Sequence, residues 1–328
     1  MSPHSTHALV VTRSGGSEIL NVEARQVDEP GAGQLLVRLG AVGVNFIDVY
    51  QREGIYPTPT PFVLANEGAG TVEAIGSGVT GIATGDRVAW AGVLGSAAGL
   101  AIIPADKAVP VPDEVETSLA AAAMLQGMTA HYLVNSTYPV QNGDSVLVHA
   151  AAGGVGQLLT QLAKARGATV IGTVSTEAKA VKARAAGADH VINYTEITDI
   201  ASEVRRLTGG TGVAVAYDGV GKSTFDASLD SLKARGTLAL FGGASGQVPP
   251  LDLQRLNTGG SLFVTRPTLA HYMLTRAELL QRGGDVLTAI ADGSLKIEIG
   301  GRYPISEAAR AYDDLEGRKT TGKLLLIP

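Results

Sequence analysis

The chain of 328 residues contains no cysteine. That excludes disulfides, a thiol nucleophile, iron–sulfur clusters and thiolate zinc sites. Histidine is scarce too, with six in all, and only His4 and His7 stand close together. Metal catalysis is therefore not expected. Charged residues make up 17% of the chain and aromatic residues 5%; the charged share is well under the usual ~25%. Large buried sheets and a subunit interface both produce such a deficit. Lysine and arginine are scattered and the net charge is −5, which argues against a nucleic-acid surface. No apolar run reaches the ~18 residues of a membrane span. The opening residues, Met1-Ser2-Pro3-His4-Ser5-Thr6-His7, show neither a basic start nor an apolar signal core. The expectation is a cytoplasmic protein without membrane or nucleic-acid partners.

Glycine is abundant instead, at 42 residues, nearly twice the usual ~7%. No collagen-like period accompanies it, so the excess reads as turns and close backbone approaches. The length suggests about two domains.

One segment carries most of the chemistry: Val146-Leu147-Val148-His149-Ala150-Ala151-Ala152-Gly153-Gly154-Val155-Gly156. A short apolar strand enters a glycine-rich turn and then an amphipathic helix, with Val155, Leu158, Leu159 and Leu162 on one face. A dinucleotide pyrophosphate requires this arrangement: a tight turn, close backbone approach, and free N–H groups at a helix N-terminus. The fingerprint positions are Ala151, Gly153 and Gly156, with alanine in place of the first glycine. Gly153, Gly154, Val155 and Gly156 are the expected pyrophosphate contacts.

The next strand-like run, residues 169–174, ends at Ser175-Thr176-Glu177-Ala178-Lys179, where an NAD site usually places a carboxylate for the ribose 2′-OH. Here the strand end is a hydroxyl, Lys179 follows one helical turn on, and Tyr194 closes the run 189–193. Ser175, Lys179 and Tyr194 suit a 2′-phosphate, so NADPH is the expected cofactor, provided Glu177 points away.

Six strand-like runs (145–149, 169–174, 190–193, 213–217, 237–241 and 261–265) are separated by helical or loop stretches. That pattern predicts an α/β protein with a doubly wound parallel six-stranded sheet. Before it lies a β-rich block, with strand-like residues 8–12, 34–44 and 64–75 and a turn at Gly85-Asp86-Arg87-Val88. An alanine-rich helix is expected over 118–134. The tail carries a strand, a helix over 306–315 and a closing strand over 323–327; it is too short for a domain and is expected to rejoin the first block. Glu67 is an odd charge among apolar neighbours, for which ion pairing with Arg87 is one reading. Asp218 is expected to cap the turn after its strand, and His131 and His149 are expected to be structural.

Several runs resemble one family. They are Val44-Asn45-Phe46-Ile47-Asp48-Val49-Tyr50, Asn66-Glu67-Gly68-Ala69-Gly70, Gly85-Asp86-Arg87-Val88, Gln126-Gly127-Met128-Thr129-Ala130, Tyr217-Asp218-Gly219-Val220-Gly221, Val264-Thr265-Arg266-Pro267-Thr268 and Arg318-Lys319-Thr320-Thr321-Gly322-Lys323, together with the glycine-rich turn. In order and spacing, from Gly43 to the end, the chain resembles the zinc-independent quinone oxidoreductases of the medium-chain dehydrogenase/reductase superfamily. The resemblance implies a GroES-like β-rich catalytic domain (1–124 and 295–328) and a Rossmann domain (125–294). It implies homodimers, with the run 261–265 pairing across a two-fold axis. The implied activity is NADPH-dependent quinone reduction in a cleft between domains, with reduction of α,β-unsaturated carbonyls as the alternative. An NADPH-binding structural or RNA-binding role stays open as a third.

Residue by residue, the resemblance places Asn45, Tyr50 and Thr129 at the reacting end, Asn45 near the nicotinamide ribose. It assigns Phe241, Gly242 and Gly243 to a strand-end cofactor contact, Val264 to Arg266 to the nicotinamide edge, and Arg318 to a cofactor contact from the closing segment. Read from the residues alone, Asn45 also fits a turn cap and Tyr50 a core position. The apolar stretch 90–102 is less polar and aromatic than the resemblance implies for the cleft opening.

Overall fold

A computed structural model describes residues 4–328. In chain order, the first elements are β1 (His4–Val11), β2 (Asn21–Val27), β3 (Gln34–Val44), α1 (Phe46–Arg52), β4 (Phe62–Val63), β5 (Glu67–Ile75), β6 (Arg87–Ala91), β7 (Leu100–Pro104), β8 (Val109–Pro110) and α2 (Thr117–Tyr132). Alternating elements follow: β9 (Ser145–Val148), α3 (Gly154–Ala165), β10 (Thr169–Val174), α4 (Glu177–Ala185), β11 (His190–Asn193), α5 (Ile200–Leu207), β12 (Val213–Asp218), α6 (Phe225–Asp230), β13 (Leu232–Leu240), α7 (Gln254–Thr258) and β14 (Phe263–Thr265). The chain ends with α8 (Arg276–Ala291), β15 (Ile299–Pro304), α9 (Ala308–Glu316) and β16 (Lys323–Ile327).

Two units result. The first runs to Met128 and resumes at Met273; the second is Thr129–Tyr272. The sequence-based boundaries at 124/125 and 294/295 assigned α8 to the second unit. In the structure α8 lies with the first, where Val286 faces Gly127 and Val109 faces Gly283. Periodicity marks the apolar face of such a helix but does not name the surface that covers it.

In the first unit, β15-β16-β3-β5-β6-β8 form a sheet, β7 pairs with β3, and β2-β1-β4 form a second sheet. Strand β3 is buried along almost its whole length, and Leu35, Val37, Val72, Val88, Trp90 and Leu326 lie in one core. The closing strand β16 pairs antiparallel with β3, bringing Leu324 opposite Val44. Lys323 thereby stands at the end of a strand whose next three residues are fully buried leucines.

In the second unit the sheet order is β11-β10-β9-β12-β13-β14, and every pairing is parallel. Leu147, Ile171, Val213, Ala216 and Leu238 fill one side of it. Strand β9 lies between β10 and β12, so the direction of winding reverses at its C-terminal end; in such sheets that crevice is where ligands bind. Boundaries depart from the sequence reading in several places. Helix α2 ends at Tyr132, followed by a π-type turn over Leu133–Thr137. Strand β13 starts at Leu232, and the left-handed backbone at Arg235 interrupts its register with β12. Strand β14 starts only at Phe263, because Ser261 is left-handed with φ 57°.

Candidate functional site

The glycine-rich turn sits at the winding reversal of the second unit. Ala150 leaves β9 with φ 50°, and its carbonyl accepts from Gly153 N at 2.8 Å. Gly153 is the extended N-cap of α3, and no side chain caps that helix. Its first turn therefore presents backbone N–H groups and the positive end of the helix dipole. Gly156 allows the helix to sit this close: a Cβ there would lie 2.3 Å from Ala150 O and 2.8 Å from Ala151 Cα. Gln157 Nε2 ties the turn down by donating to Ala152 O at 2.9 Å. A phosphate-bearing dinucleotide fits this cradle.

The three residues expected at a 2′-phosphate lie at the neighbouring ends of β10 and β11. Ser175 follows β10; Tyr194 follows β11, with its N–H donating to Val174 O at 3.0 Å. Thr176 caps α4, accepting from Lys179 N, and Lys179 Nζ turns back to Ser175 Oγ at 3.4 Å. Glu177 is drawn the other way, its Oε1 lying 2.6 Å from Arg184 Nη1 along α4. The patch left facing outward combines an ammonium, hydroxyls and the half-exposed Tyr194 phenol. A dianion suits it better than a sugar hydroxyl does.

At the far side of the strand ends, Phe241 N donates to Asp218 O at 2.8 Å, which places Phe241, Gly242 and Gly243 just beyond β13. Val264 is on β14, and exposed Arg266 follows it. Thr129, on α2, is buried. Asp218 does cap its turn, accepting from Val220 N and Gly221 N at 2.8 and 2.9 Å.

The first unit holds a second constellation, buried and charged. Asn45 caps α1, and its N–H donates to Asp48 Oδ2 at 2.9 Å. The Asn45 amide is fixed at both ends: Nδ2 donates to Gly43 O and to Glu67 Oε2, while Oδ1 accepts from Lys323 Nζ at 2.6 Å. Lys323 also donates to Glu67 Oε2 at 2.6 Å, and Glu67 Oε1 accepts from Leu125 N at 2.6 Å. Gly43 makes room for this carboxylate, since a Cβ there would lie 2.2 Å from Glu67 Oε2. The Glu67–Arg87 pair expected from sequence does not form. Arg87 instead donates to the carbonyls of Pro112 and Val115, because β6 pairs it with Thr71, at the opposite end of the β5–β6 ladder from Glu67.

Asp48 is fully buried and also accepts from Asn66 Nδ2 and Tyr312 OH. Burial pushes its pKa up to about 6, against the pull of these donors and of Lys323. Arg52, on the same helix, pairs with Glu316 at 2.9 Å. The short helix α1 is thus anchored along its inner side by ionic and hydrogen-bonded contacts. The aromatic residues of α1 and of the loop after it form a row, with Tyr50 6.3 Å from Phe46 and 5.3 Å from Tyr56 between ring centroids.

The structure thus joins Asn45 to Glu67 and Lys323 in one unit, and Ser175 to Lys179, with Tyr194 nearby, in the other. Arg318 is exposed, in left-handed conformation after α9. Lys323 is not among the residues that the sequence points to at this site. Its signal is a cation opening the otherwise apolar run Lys323-Leu324-Leu325-Leu326-Ile327, matched by the equally anomalous Glu67.

Residues 31–113 match the alcohol dehydrogenase GroES-like domain, and residues 154–281 the zinc-binding dehydrogenase domain. With the parallel sheet and the strand-rich first unit, these matches define a medium-chain dehydrogenase/reductase. The chain is 46% identical to a quinone oxidoreductase of Pseudomonas aeruginosa, over 96% of this chain and 97% of that one. It is 43% identical to a 2-haloacrylate reductase of a Burkholderia species, over 98% of each. The solved structure of Escherichia coli quinone oxidoreductase complexed with NADPH superposes with a TM-score of 0.96 at 43% identity, covering 98% of this chain and all of that one. The chain belongs to the quinone oxidoreductases of this superfamily. Zinc does not fit its residues: cysteine is absent, Glu67 is engaged by an ammonium, and among the described residues no group of three or more His, Asp or Glu side chains is arranged to hold a metal ion.

Proposed function

We propose that this protein reduces quinones with NADPH, by hydride or electron transfer without a metal. The patch of Ser175, Lys179 and Tyr194, with Glu177 drawn to Arg184, is the observation that carries the cofactor assignment. The relative solved with NADPH supports it. When bound, NADPH supplies the hydride. The chain's part is to hold the pyrophosphate on the α3 N-terminus, read the 2′-phosphate and position the acceptor. Asn45, Tyr50 and Thr129 are the side chains assigned to the reacting end. The aromatic row of Phe46, Tyr50 and Tyr56 favours a planar acceptor. An acceptor already prone to reduction needs no Lewis acid, and water can protonate a hydroquinone anion.

The second reading is reduction of an activated alkene, favoured by the likeness to a 2-haloacrylate reductase. Steady-state NADPH oxidation with a simple benzoquinone beside a small enal separates the two. Preference for the benzoquinone is expected; preference for the enal moves the activity to alkene reduction. Replacing Lys179 by Ala is expected to weaken NADPH about tenfold, the loss of one charge-assisted contact, and to leave NADH nearly unchanged. Equal losses for both cofactors would remove Lys179 from the phosphate site.

We assign the assembly as a homodimer. Strand β14 is the sheet's edge, and Phe263 on it is 60% exposed, which suits pairing with its copy.

A further inference from the structure

Beneath the dinucleotide cradle, the second unit contains a buried polar chain that the proposed reaction leaves unused. Thr173 on β10, His149 just after β9, Ser228 on α6 and Asp218 at the end of β12 are each at most 2% exposed. His149 Nδ1 lies 2.9 Å from Thr173 Oγ1, and His149 Nε2 lies 2.9 Å from Ser228 Oγ. Ser228 Oγ lies 2.8 Å from Asp218 Oδ2. Asp, Ser and His side by side suggest a nucleophilic triad, but the order excludes it. The serine stands between acid and imidazole, so its proton goes to the acid and no base faces a substrate.

The direction of every hydrogen bond follows from one end. Asp218 takes two backbone N–H groups and the Thr224 hydroxyl, and as a carboxylate it can only accept. Ser228 therefore spends its single proton on Asp218. Its oxygen must then accept from His149, which puts the imidazole proton on Nε2. Burial disfavours the imidazolium and lowers the His149 pKa, against the pull of Asp218, which favours a neutral ring with Nδ1 bare. Nδ1 accepts from the Thr173 hydroxyl, and the chain runs one way, from Thr173 to Asp218.

Three members of this chain lie at backbone that builds the ligand site. His149 immediately precedes left-handed Ala150, where the glycine-rich turn begins. Asp218 holds the turn Val220–Gly221, and its carbonyl accepts from Phe241 N. Thr173 O accepts from Ala151 N at 3.0 Å. The polar chain thus crosses the ends of β10, β9 and β12, which pack side by side in the sheet.

We infer that His149 is a positioning residue for the dinucleotide: locked as the neutral Nε2–H tautomer, it sets the three strand ends and the glycine-rich turn in the geometry that receives the pyrophosphate. The positioning role rests on the NADPH reading proposed above; the tautomer does not. The test has two parts, both on the full chain. Two-bond 1H–15N spectra of the ligand-free protein should show His149 neutral with its proton on Nε2. A proton on Nδ1, or an imidazolium at neutral pH, overturns the inference.

Fluorescence titration with NADPH should then give a Kd about tenfold higher for Thr173→Val, which removes the donor to Nδ1 at nearly constant volume. Thr173→Ser, which keeps the hydroxyl, should bind as wild type does, and kcat at saturating NADPH should change little in either. A folded Thr173→Val variant with wild-type Kd overturns the positioning role alone. Wild-type protein that fails to bind NADPH overturns the dinucleotide reading together with that role, and leaves the tautomer assignment to the spectra. Should Thr173→Val fail to fold, Ser228→Ala, which removes the acceptor from Nε2, takes its place with the same expected and contrary results.

Discussion

Replacing Lys323 by Met is expected to destabilise the protein by about 3–5 kcal/mol, the cost of stranding a buried carboxylate. Lys323 is 1% exposed and Glu67 is 0% exposed, so Glu67 has no access to solvent once the ammonium is gone. The same substitution takes the Lys323 ammonium from Asn45 Oδ1 and so loosens one end of the amide that opens α1. Urea unfolding monitored through the buried Trp90 measures the loss. The double variant Lys323→Met/Glu67→Gln should recover part of it, because the uncompensated charge has then gone. A single variant as stable as wild type would mean that the two charges do not depend on each other, and the assignment of Lys323 as Asn45's anchor would fall.

Valine at Gly156 and valine at Gly153 should both abolish NADPH binding, but for different reasons. At Gly156 the new Cβ would meet backbone atoms at 2.3 and 2.8 Å, which no rotamer relieves. Helix α3 must shift away from the turn, at a cost of about 1–3 kcal/mol or more. At Gly153 the nearest atom is Ala150 O at 3.2 Å, so the fold can absorb the side chain. There the obstruction falls on the ligand, because the valine stands where the pyrophosphate approaches the N-cap. Thermal denaturation with NADPH titration distinguishes them: Gly156→Val loses stability and binding, Gly153→Val binding alone. Full NADPH affinity in Gly153→Val would remove the glycine-rich turn from the binding site.

The nucleotide-binding half was the more legible because its signals are local. A strand, a turn and a helix within about twenty residues declare their geometry through glycine, periodicity and strand length, and β10, β11 and β16 begin and end where the residue pattern puts them. The positions of Ser175 and Tyr194 after β10 and β11, and of Lys179 one turn into α4, follow from equally local signals. The first unit resisted. Its buried cluster joins residues as far apart as Asn45 and Lys323, and a single sequence carries no record of which distant charge neutralises which. Glu67 was recognisable as anomalous, but Arg87 was the nearer cation in sequence and strand register placed it elsewhere. Strand β14 was overextended because Ser261 gives no sign, as a residue, of its left-handed backbone.

The most direct test is quinone-dependent NADPH oxidation by chelator-treated protein, run in parallel with NADH. NADPH should support turnover of a benzoquinone at the same rate before and after chelation, and NADH should be the poorer donor. Absence of quinone-dependent oxidation, or activity lost on chelation and restored by zinc, would contradict metal-free quinone reduction with NADPH.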